Sequence, residues 1–137
     1  MPTDAQKLAA AIARLNRRLR QERHSDLTPN QISILGTLHH HGPLTPGAIA
    51  AIEQVQPPSV TRTVNCLVDN GLVERTTHPT DRRQVVVSIS QEGREGLAVE
   101  RDRRDTWLAG RLAALTTEER AVLRDAAALL EKLVVSE

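Results

Sequence analysis

Residues 57–90 read PPSVTRTVNCLVDNGLVERTTHPTDRRQVVVSIS, and this stretch decides the fold. Pro57-Pro58-Ser59 opens a helix, since proline suits the first helical turn, and Asn70-Gly71 closes it. At 100° per residue, Val60, Val64, Leu67 and Val68 fall on one side of that helix, and Arg62, Asn65 and Asp69 on the other. One face packs and the other is free. Two β-prone runs follow, Leu72 to Thr77 and Gln84 to Ile89. Between them lies His78-Pro79-Thr80-Asp81-Arg82-Arg83, where proline favours a turn, so the pair reads as a hairpin with a basic tip.

Working outward, Thr45-Pro46 starts a short helix through Ala48, Ile49, Ala50 and Ile52, which turns at Glu53 to Gln56. Ahead of it, Thr28-Pro29-Asn30-Gln31 has the residues of a capping box. The helix it opens carries Ile32, Leu35, Leu38 and His39 as its stripe and ends at Gly42-Pro43. From Asp4 to about Arg23, Leu8, Ile12, Leu15 and Leu19 recur at the spacing of one helical face, and Arg14, Arg17, Arg18, Arg20 and Arg23 occupy the others. Downstream, Ser90 to about Leu115 reads as a long helix. Its charged middle, Glu100 to Asp105, predicts a crossing of open solvent, with Glu100 paired to Arg104 and Arg101 to Asp105. Thr116-Thr117-Glu118-Glu119 is another capping box and opens a last helix bearing Val122, Leu123, Ala126, Leu130, Leu133 and Val134.

The fold class is therefore mainly α with a small β-hairpin wing: a winged helix-turn-helix flanked by N- and C-terminal helices. A chain of 137 residues fits one domain. Within it, 28–90 form the winged unit, and 1–25 with 91–137 form a helical dimerisation lobe. The apolar fraction of 39% and charged fraction of 26% fit a globular chain, and the sequence holds no spanning run and no signal-peptide pattern, so a cytoplasmic location is expected. A net charge of +1 gives no global argument for a polyanionic partner, so any such argument must be local.

Locally, the chain supplies suitable residues. Ser59, Thr61 and Arg62, next to Pro58 at the helix start, with Asn65 one turn on, are residue types that major-groove recognition uses. Arginine grips guanine at two atoms, asparagine grips adenine, and hydroxyls hold phosphate or a base edge. Arg82 and Arg83 at the hairpin tip suit a minor groove or the backbone. Double-stranded DNA is the expected partner. There is no phosphate loop, nucleophile motif or telling acid pair, so no enzyme is expected, and no cofactor.

The run from Thr45 to Gly93 resembles the DNA-binding lobe of the MarR family of bacterial transcriptional regulators. Asp81, Arg83, Ile89 and Ser90 stand where that family has D-x-R-x5-L-T, followed by Gly93. Pro58 to Arg62 and Gly71-Leu72-Val73 are similar to its recognition helix and exit. The resemblance implies a wing supported by Asp81 and a homodimer joined through the terminal helices, reading a palindromic operator. It also implies a repressor released by a small molecule, often a phenolic or other aromatic anion, for which Arg18 and His39 are the candidate contacts.

Two other readings compete: a winged protein-interaction module, suggested by Asp69, Glu74 and Asp81, and a metal-responsive regulator using His39-His40-His41 with His24. Consecutive helical positions point in different directions, which argues against a metal, and His39 on the apolar stripe suits a buried or interfacial hydrogen bond better. Cys66 at the edge of the free face is read as a plain helix residue ahead of a redox switch.

Overall fold

The computed structural model describes residues 1–22 and 26–135. Among the described residues six helices and a two-stranded hairpin follow in the order α1 (Asp4–Gln21), α2 (Pro29–His41), α3 (Pro46–Glu53), α4 (Pro57–Asp69), β1 (Val73–Thr77), β2 (Val85–Ile89), α5 (Gln91–Ala113) and α6 (Thr117–Val135). The boundaries follow local chemistry. Thr28 Oγ1 accepts from Gln31 N–H while the Gln31 side chain accepts from Thr28 N–H. Thr116 and Glu119 make the same reciprocal pair at the start of α6. Arg23 and His24 lie outside the described residues.

The hairpin is antiparallel, with Val73 opposite Ile89 and Thr77 opposite Val85. Leu44, between α2 and α3, adds a bridge to Val87: Leu44 N–H donates to Val87 O at 3.0 Å and Val87 N–H to Leu44 O at 2.7 Å. The wing is thus stitched to the helix-turn-helix by backbone. Leu35, Leu38, Ile49, Val60, Leu67 and Val87 are the best-buried core side chains, with Leu97 joining from α5. Aliphatic side chains alone fill this core, consistent with a chain that has one Trp and no Phe or Tyr.

The joint between wing and α5 is tight. Ser90 caps α5 by accepting from Gly93 N–H, and its hydroxyl donates to Gly71 O at 2.6 Å. A Cβ on Gly93 would stand 2.1 Å from Leu72 O, so only glycine fits. Gly71, at φ 75°, makes the turn that brings Leu72 there.

Three expectations need correction. His39 is exposed, because the core face of α2 runs through Ile34, Leu35 and Leu38 instead, with Ile32 only half-buried. Glu100 does not face solvent: it is 3% exposed. It also does not hold Arg104, whose Nε–H donates to Asp105 at 2.8 Å. The charged run wraps round the helix, so the neighbours of each position, which the run does not encode, decide what is wet.

By contrast, α1 and α6 bury no residue among those described. Leu8, Ile12 and Leu15 are 44–46% exposed, and Leu123, Leu130 and Leu133 are 36–65% exposed. These six line an apolar groove of about 630 Å3 between the two helices. Among the described residues no helix is long and apolar enough to cross a membrane.

Candidate nucleic-acid interface

Helix α4 sets its polar face by burying the other. Val60, Val64 and Leu67 are in the core, which leaves Pro58, Thr61, Arg62 and Asn65 exposed and Ser59 half-buried. Arg62 makes no hydrogen bond or ion pair among the described residues, so its guanidinium is available. Thr61 donates its hydroxyl proton to Pro57 O at 3.2 Å, leaving lone pairs to offer. Ser59 borders a small crevice with Asn30 and Glu53.

Asn65 has a partner that residue spacing did not reveal. Arg75 Nη1–H, from β1, donates to Asn65 Oδ1 at 2.9 Å. The pairing of Arg75 with Val87 in the sheet puts it on the face that looks towards α4. Asn65 keeps its amide N–H2 as a donor, and Arg75 becomes part of the polar surface. The exposed face of α4 and the wing are therefore one continuous patch. Alternation along β1 was the available signal, since Arg75 lies two residues from buried Val73 and so on the same face.

The wing tip is built around Asp81 and His78. Asp81 Oδ1 accepts from Arg83 N–H at 3.1 Å and from Arg83 Nε–H at 3.2 Å, while Gln84 Nε2–H reaches Oδ2 at 3.4 Å. The Arg83 backbone N–H first, and its side chain second, hold the Asp81 carboxyl below its ordinary range. Asp81 is the residue to which the family resemblance assigned wing support, whereas sequence reasoning did not single out His78. The His78 Nδ1 accepts from Thr80 N–H at 3.2 Å and Asp81 N–H at 3.1 Å. Arg82 and Arg83 are exposed, the Arg83 side chain at 91%.

A model of the MarR family matches residues 27–85, the stretch that holds this patch. An uncharacterized HTH-type transcriptional regulator of Mycobacterium bovis is 47% identical over 131 residues, which span 95% of this chain and 92% of that one. The chain belongs to the MarR family. It is a transcriptional regulator and not an enzyme. The crystal structure of a putative transcriptional regulator from Pseudomonas aeruginosa superposes with a TM-score of 0.83 at 34% identity, over 95% of this chain and 93% of that one. The HTH-type transcriptional repressor MdtR of Bacillus subtilis is 36% identical over 67 residues, covering 49% of this chain and 43% of its own. The MarR winged helix-turn-helix accounts for the element order found here.

The candidates outside the patch do not come together. Arg18 pairs with Glu22 at 2.8 Å and lies 5.4 Å from the ring centroid of Trp107, which Arg111 also approaches at 5.4 Å. His39 borders a cleft of about 310 Å3 with Arg94, Arg101, Asp102 and Asp105, and Arg18 is not among its lining residues. His40 and His41 meet edge to face at 4.8 Å. Among the described residues no three His, Cys, Asp or Glu side chains are grouped to hold a metal. Cys66 is exposed.

Proposed function

We propose that this MarR-family regulator is a cytoplasmic, homodimeric repressor that binds a palindromic operator in double-stranded DNA and is released by a small-molecule effector. The observation that carries the DNA reading is the Asn65–Arg75 hydrogen bond, which joins the reading helix to the wing in one polar surface. On that surface Arg62, with Pro58, Ser59, Thr61 and Asn65, enters the major groove, and Arg82 and Arg83 reach the flanking minor groove or backbone. Asp81, named above as a carboxylate that spoke for a protein-interaction module, is engaged by Arg83 and serves the wing instead.

Residues 28–90 form the reading unit, and 1–25 with 91–137 the joining unit. The groove between α1 and α6 supports the dimer: a second copy laid into it covers Leu8, Ile12, Leu15, Leu123, Leu130 and Leu133. Burial stabilises by about 25 cal/mol per Å2 of apolar surface, so an interface of ordinary size contributes much of the stability of so small a chain. Two-fold symmetry then sets the reading helices roughly 34 to 36 Å apart, one turn of DNA. The repressor role is supported by the likeness to MdtR. For the effector, a phenolic or other aromatic anion, the cleft beside His39 offers Arg94 and Arg101, and Arg18 stands near Trp107.

A salt titration of DNA binding tests the reading. Affinity falls steeply with salt, and Arg83→Ala lowers the log–log slope by about one. Arg62→Ala weakens operator binding by about 1–3 kcal/mol and relaxes specificity at one base pair. Unchanged binding in both variants refutes it.

A further inference from the structure

We propose that the cleft between α5 and the turn entering β1 binds a small organic cation, an apolar body bearing an amine, amidine or guanidine group that donates to Glu100. Glu100 is 3% exposed, and its Oε2 is buried with no hydrogen-bond partner among the described residues. Buried polar atoms in folded proteins nearly always have a partner, because one without it has given up water for nothing. An orphaned acceptor on the wall of a cleft calls for a donor from outside.

The cleft has the size and lining for one. It holds about 440 Å3, within the roughly 300–1,000 Å3 of small-molecule sites. Leu27, Leu72 and Val99 form apolar walls, and Gly96 contributes no side chain. Among the described lining residues the carboxyls of Glu100 and Asp26 outnumber the guanidinium of Arg103, so that lining favours a cation over an anion. Glu100 lies deep and Asp26 is exposed at the rim. A bare metal ion fits less well, since two carboxyls fall short of a protein-built coordination shell. An organic cation brings its own donors and uses the apolar walls.

This site is separate from the cleft beside His39. Residues 96, 99, 100 and 103 line one, and 94, 97, 98, 101, 102 and 105 the other. At 100° per residue the two sets occupy opposite faces of α5. Leu72, in the wall, joins α4 to β1: its N–H donates to Leu67 O at 2.9 Å and its carbonyl accepts from Ser90 N–H at 3.0 Å. Occupancy is therefore registered at the joint between reading helix and wing.

The probe is benzamidine, a planar amidinium on a phenyl ring, titrated into the full chain and followed by backbone amide NMR. Saturable shifts are expected at Leu72, Gly96, Val99 and Glu100. Glu100→Gln, similar in volume, weakens binding by roughly tenfold or more, as loss of a charge-assisted hydrogen bond requires. Benzoate, the same ring with the opposite charge, shifts none of these amides. Should Glu100→Gln fail to fold by its thermal melt, Asp26→Asn at the exposed rim still weakens binding, by about two- to threefold. The proposal is overturned if benzamidine gives no saturable shift at these amides, if folded Glu100→Gln binds it undiminished, or if benzoate binds equally. It is also overturned if a crystal structure of the dimer shows a basic side chain of the second copy already on Glu100 Oε2. No DNA enters the test, so its failure leaves the DNA reading standing.

Discussion

Single residues of the wing tip carry separable duties. Asp81 binds Arg83 twice, and its lowered pKa gives the pH dependence its sign. The ordered tip favours the ionised form, so that contribution is complete above the ordinary carboxylate range, about pH 3.9, and disappears as pH falls through the lower folded value. DNA affinity near neutrality should thus be insensitive to Asp81 titration, whereas Asp81→Asn at pH 7 lowers it by about threefold to tenfold by loosening Arg83, measurable by fluorescence anisotropy. His78 acts as an acceptor through Nδ1, a role asparagine Oδ1 can reproduce in a turn. His78→Ala should therefore weaken DNA binding, and His78→Asn should restore most of it. Asp81 entered as wing support through the family pattern that it matches, whereas the exposure of Arg62, Asn65 and Arg83 was legible in helix periodicity and in the basic hairpin tip. The partner of Asn65 and the burial of Glu100 were not, since both depend on elements brought together only by folding: Arg75 lies ten residues from Asn65 across a turn.

Among the elements, those with strong local signals fell within a residue or two of their expected ends. Caps at Thr28, Thr45, Ser90 and Thr116 specify helix starts because each satisfies backbone N–H groups that would otherwise lack partners. How elements dock was less legible. Glu53, read only as the beginning of a turn, accepts from Ser33 and Thr37 hydroxyls at 2.6 Å each and ties α3 to α2. Removing it in Glu53→Ala should destabilise the chain by about 1–3 kcal/mol in a denaturant melt, because two hydrogen bonds to one carboxyl are lost. Gly93→Ala should be more severe, about 3 kcal/mol or more. Its Cβ would meet backbone at Leu72 and the Ile89 side chain at 2.8 Å, so α5 or the wing has to move.

For the whole molecule, the division of labour follows from where the core stops. The winged unit has its own buried centre, while α1 and α6 leave their leucines half-exposed along one groove. The amphipathic stripes at the two ends of the chain were plain in the sequence. Which partner covers them was not, because periodicity reports that a face is apolar and not what it meets. In the proposed dimer each leucine is buried twice by symmetry, so Leu130→Arg should shift the chain from dimer to monomer by light scattering. At about 1.5–3 kcal/mol per leucine and subunit, the dimer should weaken by about a hundredfold or more, and operator binding should fall with it. The central claim, that helix and wing engage one duplex twice over, is tested most directly by a hydroxyl-radical footprint on an operator recovered from bound genomic fragments. The account predicts two symmetric protected patches about one helical turn apart, with flanking protection that disappears in Arg83→Ala while the central patches remain. A single unsymmetrical patch, or flanks unchanged in Arg83→Ala, would contradict it.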